Sequence, residues 1–146
     1  MGFSDDIKRF TVKCAANSDA VTRTTVLGIT SSIDEMSPVG NADNWAHPEK
    51  KPPGYVGGHF RANWQLGVNV QPTGIIEGTA YQGKVEQEQA KIPAKAAGHV
   101  YWYQNNLPYA IPLEDGHSGQ APNGMVGLTA VRFGGIVDTA AQAVNK

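Results

Sequence analysis

Nine prolines and 17 glycines cluster along this 146-residue chain, and the clusters decide where regular structure can form. Residues 38–58, PVGNADNWAHPEKKPPGYVGG, hold four prolines and four glycines, and residues 107–124 hold three of each. Proline removes an amide donor and fixes φ, while glycine raises the entropy lost on ordering, so neither stretch can continue a helix or a central strand. Both are expected to be loops, which leaves residues 1–37, 59–106 and 125–146 for helices and strands. A segment as long as 38–58 without regular structure is, in a small domain, either a working part or disordered. Trp45 and Tyr55 within it favour a contact-making loop, because aromatic side chains offer rigid contact area at low entropic cost.

Ser4 is placed to cap a leading helix, with Asp5 and Asp6 in its first turn at the positive end of the helix dipole. Ile7, Phe10 and Cys14 follow at three- and four-residue steps. After a polar interval at Asn17 to Asp19, Val21, Val26, Ile29, Ile33 and Met36 resume the stripe. One long helix or two collinear ones are expected, ended by Ser37-Pro38. From Phe60 to Val70 apolar and polar residues alternate strictly, which predicts a strand with one buried and one polar face. A short strand is expected near Ile75 to Ala80, a short helix or loop at Lys84 to Gln89, and a second main strand at His99 to Gln104. Met125 to Val144 reads as a helix with Met125, Leu128, Ile136 and Ala140 near one face. Its Gly134-Gly135 pair marks a bend or a close packing point, since glycine costs about 1 kcal/mol against alanine inside a helix. The sum is one α+β domain over residues 1–146: a small antiparallel sheet flanked by a long N-terminal helix and a C-terminal helix, with long loops and 38–58 as an insertion.

Twelve Lys and Arg oppose 13 Asp and Glu with no long run of either sign, giving a net charge of −1. That argues against a groove built to grip nucleic acid, which needs clustered cations. Cys14 is the single cysteine and cannot form an internal disulfide. It falls on the apolar side of the first helix, where a small core residue is the expectation. The opening MGFSDDIKRF carries acids where a signal peptide has a basic stretch and an apolar run, and no apolar segment approaches the ~20 residues that span a bilayer. Folding in a reducing cytoplasm with no membrane partner is expected.

The residues able to do chemistry are few. Histidines 47, 59, 99 and 117 form no i, i+3 or i, i+4 helical pair, so no metal site is expected. Glu114, His117 and Ser118 form the densest polar cluster, and a small hydrolase using them is one alternative reading. The string Gly116-His117-Ser118-Gly119-Gln120 is not a nucleophile elbow, however, and neighbours in a loop seldom converge on one reacting atom. A ligand-binding domain using Trp45, Trp64 and Trp102 is another alternative. Without a basic groove, Trp64, Trp102, Tyr101 and Tyr103 read as sheet core plus an interface.

Three segments together resemble the neck or tail-completion protein family of tailed bacteriophages, in family order and over nearly the whole chain. The first is FSDDIKRF opening a long helix that ends at Met36-Ser37-Pro38-Val39. The second is Gly54 to Trp64, with Arg61, Asn63 and Trp64 entering the first strand and Tyr55-Val56-Gly57-Gly58 where that family often has Asp-Thr-Gly. The third and most specific runs Asn105-Asn106-Leu107-Pro108-Tyr109-Ala110, Leu113-Glu114, Gly116-His117-Ser118, Gln120-Ala121-Pro122 and Gly124-Met125-Val126. The resemblance implies a non-enzymatic virion protein that folds in the host bacterial cytoplasm, with no cofactor and no catalytic residue. It would assemble as a ring, with a hexamer as the expected order, at the head-proximal end of the tail. Its neighbours there would be a connector or stopper and a tail terminator or tube. Passage of the genome through the ring needs no sequence-specific contact. A closed ring requires head-to-tail contacts, and loops 38–58 and 105–124 are the candidates for them. Within these, Glu114 is expected to accept backbone amides of its own loop or to pair with a neighbour's Arg61.

Overall fold

A computed structural model of the chain describes residues 2–145. The first helix, α1, runs unbroken from Phe3 to Met36. Its N-cap is Gly2, and Ser4, expected in that position, lies inside the first turn. There the negative charge of Asp5 and Asp6 faces the unpaired amides, and the Gly2 amide lies 3.5 Å from the Asp5 carboxylate. At the other end Ser37 turns extended before Pro38, and its hydroxyl donates to the Ile33 carbonyl at 2.7 Å.

The two strands are β1 (Trp64–Val68) and β2 (Tyr101–Asn105), an antiparallel pair in which Leu66 sits opposite Tyr103 and Gly67 opposite Trp102. The alternation from Phe60 to Val70 overstates β1 at both ends. Arg61–Asn63 form a single 3-10 turn, and Val70 is exposed. Apolar alternation marks which side chains face inward, and Phe60, Ala62, Trp64 and Leu66 are indeed buried. A tight turn can satisfy the same pattern over its first residues. No strand forms at 75–80, which runs as irregular backbone tied to the body by hydrogen bonds.

Lys84–Gln89 are helical (α2), a further short helix α3 spans Ala110–Glu114, and α4 runs from Val126 to Val144. Helix α3 lies in a segment expected to be loop. Its Pro112 is the third helical residue, where the missing amide would have had no intrahelical partner. Helix α4 continues through Gly134-Gly135, which face open space, so the pair is neither a break nor a tight contact.

Helices α1 and α4 pack antiparallel. Ser32 Oγ lies 2.9 Å from Thr129 Oγ1, and Ser37 Oγ lies 3.5 Å from Met125 Sδ. At Gly28 the helices approach so closely that an added Cβ would lie 2.7 Å from Ile136 Cγ2. The core has two lobes. Ile33, Phe60, Trp64, Leu107, Ala121 and Met125 fill one between the C-terminal half of α1, the start of β1 and the start of α4. Val26, Leu66, Ile92 and Ala96 fill the other under α2. Burying each large apolar side chain contributes about 1.5–3 kcal/mol. Tyr103 packs against both lobes, stacked on Trp64 with centroids 5.3 Å apart, and Trp64 donates its indole N–H to Ser37 Oγ at 2.7 Å.

Residues 2–16, at the N-terminal end of α1, touch none of this and are exposed throughout. Cys14 is therefore an exposed thiol, against the expectation of a core residue. The stripe that contains it continues the face on which α4 lies farther down, but α4 ends before reaching it.

Under β1 the carboxylate of Glu88 is buried among three donors. It accepts from the Leu66 amide at 2.7 Å and pairs with Lys84 and Lys91. Desolvation pushes this carboxyl up, but the two ammonium groups and the amide outweigh it and hold its pKa below the ordinary value.

Candidate functional site

The two proline-rich loops face each other. Between them lies a cleft of about 890 Å³, lined from one side by Gly40, Trp45 and Tyr55 and from the other by Tyr109, His117 and Gln120. Loop 38–58 is closed at its base, where Gly57 packs on the Gly40 backbone with no room for a Cβ, and a Cβ on Gly40 would run into the Tyr55 hydroxyl. Within it Trp45 and Tyr55 meet edge to face with centroids 4.9 Å apart. Across the cleft Tyr109 lies 6.2 Å from Phe60. Burial, and then the Tyr55 hydroxyl, raise the pKa of Tyr109.

The polar residues singled out in the sequence are brought together as clamps on backbone. Glu114 Oε2 accepts from the amides of Met125 at 2.9 Å and Val126 at 3.0 Å, and Oε1 from Gly127 at 2.8 Å. The residue at the end of α3 thus holds the N-terminus of α4. The amides it accepts are those at the start of α4, and not, as expected, those of its own loop. Burial raises its carboxyl, but the amides of Gly127, Met125 and Val126 together outweigh that, and the net pKa lies below the usual carboxylate value. Gln120 reads Val39 from both sides, its Oε1 accepting from Val39 N at 3.1 Å and its Nε2 donating to Val39 O at 2.8 Å. His117 Nδ1 is 2.7 Å from the Pro112 carbonyl, so that nitrogen is the donor, and Ser118 Oγ accepts from the Gln120 amide at 3.2 Å. Pro108 and Tyr109 form the centre of the turn from Leu107 to Ala110, and Pro122 that of the turn from Ala121 to Gly124.

The second motif behaves the same way. Asn63 is fully buried although the alternation places it on the polar face. It donates to the carbonyls of His59 at 2.8 Å and Ile76 at 2.9 Å and accepts from the Ile76 amide at 2.8 Å. Asn106 donates to the Gly74 carbonyl at 2.9 Å. Arg61 pairs within its own chain, with Asp34 at 2.7 Å, and lies 5.2 Å over the Tyr81 ring. The Asp34 hydrogen bond raises the Arg61 pKa against the opposing effect of burial.

Glu114, His117 and Ser118 are neighbours in space, but each is bonded to a different backbone group and the three do not form a relay. The tryptophans also separate: Trp45 lines the cleft, Trp64 is core, and Trp102 stands exposed on the sheet. Among the described residues, no three His, Cys, Asp or Glu side chains gather as a metal site, and no helix is long and apolar enough to cross a membrane. Asp34, Ser37, Glu88 and Asn105 complete the clamps and were missed in the sequence. Of these, Ser37 and Asn105, which donates to the Phe60 carbonyl at 2.8 Å, stood in motifs, and Asp34 and Glu88 did not. Comparison of the chain with protein-family models, with curated proteins and with solved structures returns no match.

Proposed function

We propose that the chain is a non-enzymatic structural protein of the neck of a tailed phage, forming a ring at the head-proximal end of the tail that completes the tail and joins it to the head. One observation carries the reading. Asn63, Asn106, Glu114, His117, Ser118 and Gln120, the polar residues of the family-like motifs, all bond backbone of their own chain. Such residues build a fixed pair of loops, each side chain holding a different stretch of backbone. The loops present Trp45, Tyr55 and Tyr109 across an open cleft, and a loop of the next subunit in a ring is its expected occupant.

Mass photometry of the purified protein, alone and with isolated tails, tests the assembly. Rings in either sample support the proposal. Electron microscopy of phage made without the chain tests the role, with filled heads and finished tails that fail to join as the expected product. Normal particles would overturn it. The cleft also favours a second reading, a small-ligand site using Trp45. Saturable quenching of tryptophan fluorescence that disappears in Trp45→Phe would support that reading instead.

A further inference from the structure

Helix α1 is nearly twice as long as the helix that covers it. At 1.5 Å per residue its 34 residues span about 51 Å, whereas the 19 residues of α4 span about 28 Å. Gly28 faces Ile136 and Ser32 faces Thr129, so α4 runs out at Val144 opposite about residue 20 of α1, counted at equal rise. Beyond that point Phe3, Ile7, Phe10 and Cys14 carry on the same face with nothing over them, Phe3 at 82% and Phe10 at 65% exposure. Helix α4 has an exposed apolar stripe of its own at Val126, Ala130 and Phe133, continued by the half-buried Val137, and it borders an apolar groove of about 430 Å³ shared with Ile29 and Ile33. Both stripes have the spacing i, i+4, i+7, i+11.

We propose that two copies of the chain pair about a two-fold axis, each laying the exposed half of α1 along the α4 stripe of the other. A chain cannot satisfy its own arm, because the continuous α1 holds Phe10 about 28 Å along the axis from Ile29. Laid parallel to the partner's α4, Phe3 meets Val126, Ile7 meets Ala130, Phe10 meets Phe133 and Cys14 meets Val137. That register brings Lys13 and Asp138 to the same edge. Among the described residues neither has an ion-pair partner within its chain. Since α1 and α4 are antiparallel, an arm parallel to the partner's α4 returns the partner's arm to the first α4 in the same register. The contact is made twice and closes.

The area is sufficient. Phe3, Phe10 and Phe133 on two such contacts expose on the order of 800 Å². With Ile7, Val126 and Ala130 added, the exposed apolar surface available to the two contacts totals roughly 1,200 Å², the lower bound for a stable pair. This pairing goes beyond the neck reading and does not rest on it, since it uses neither loop.

Sedimentation equilibrium of the wild-type chain at micromolar concentration is expected to give twice the chain mass. Ile7→Asp/Phe10→Asp, which alters only exposed positions, is expected to keep the helical content while weakening association about 100-fold or more. Val137→Cys on oxidation is expected to give a covalent dimer with no free thiol, bridged through Cys14. Within one chain the two positions lie about 20 Å apart along the helices, too far to bridge. Wild type that stays monomeric, dimers indifferent to the arm substitutions, or wild-type dimers linked Cys14 to Cys14 would each overturn the pairing. Rings that survive the arm substitutions would overturn it while upholding the neck reading. Two-fold dimers that never enter rings or tails would uphold it and count against that reading.

Discussion

Gln120 grips Val39 as a neighbouring strand would, its carboxamide oxygen accepting from the Val39 amide at 3.1 Å and its nitrogen donating to the Val39 carbonyl at 2.8 Å. This two-point bond joins the start of loop 38–58 to the second loop, so the shape of the cleft depends on one side chain.

Gln120→Ala is expected to cost about 1 kcal/mol, the net worth of an exposed pair of hydrogen bonds. Hydrogen exchange at Val39 should accelerate while exchange within α1 stays unchanged. Protection unaltered at Val39 would show that the clamp does not set the loop.

Glu114 should make the protein acid-sensitive. Its folded pKa lies below the ordinary 4.5, so its contribution is complete above that value and is lost as pH falls through the lower, folded-state value. Glu114→Gln removes the charge from three amide bonds and is expected to cost about 2–3 kcal/mol at neutral pH. Urea titrations of both proteins between pH 7 and pH 3 should converge toward acid pH. A constant difference would assign the effect to packing.

Asn63→Ala should be the most damaging of these substitutions, at about 3 kcal/mol or more, because it strands both backbone groups of Ile76 and the His59 carbonyl. Asn63→Asp should also destabilise, since a carboxylate cannot donate to the two carbonyls. Thermal unfolding monitored by circular dichroism measures both.

The Tyr103 hydroxyl is buried and, among the described residues, has no hydrogen-bond partner. Desolvation, aided by Asp34 and Glu88, raises its pKa. Tyr103→Phe is therefore expected to be neutral or to stabilise by up to about 1 kcal/mol in chemical denaturation. A loss of stability would reveal a partner for the hydroxyl.

The long helices and the strand pair were legible because their signals are periodic and local. Ile29, Ile33 and Met36 repeat at helical spacing, and Trp64 and Leu66 alternate. The clamps were legible only as polar residues standing in motifs. Their partners are backbone atoms such as those of Val39 and Ile76, which carry no letter in a sequence. Asn63 shows the limit: alternation assigns a direction to a side chain but cannot tell a solvated amide from one buried against a backbone carbonyl 13 residues away. Cys14 shows the converse. An apolar stripe identifies a face that wants cover, and only the length of α4 reveals that the chain does not supply it.

Glu88 has a consequence for how the molecule meets others. In a two-stranded sheet each strand has an open side, and an open side invites another chain to zip on. By taking the Leu66 amide, the Glu88 carboxylate occupies the place of a third strand's carbonyl. Growth of the sheet past β1 is blocked there by the α2 segment, with Glu88 on the Leu66 amide and Lys91 Nζ 3.5 Å from the Leu66 carbonyl, and Glu88→Ala would leave that buried amide without its acceptor.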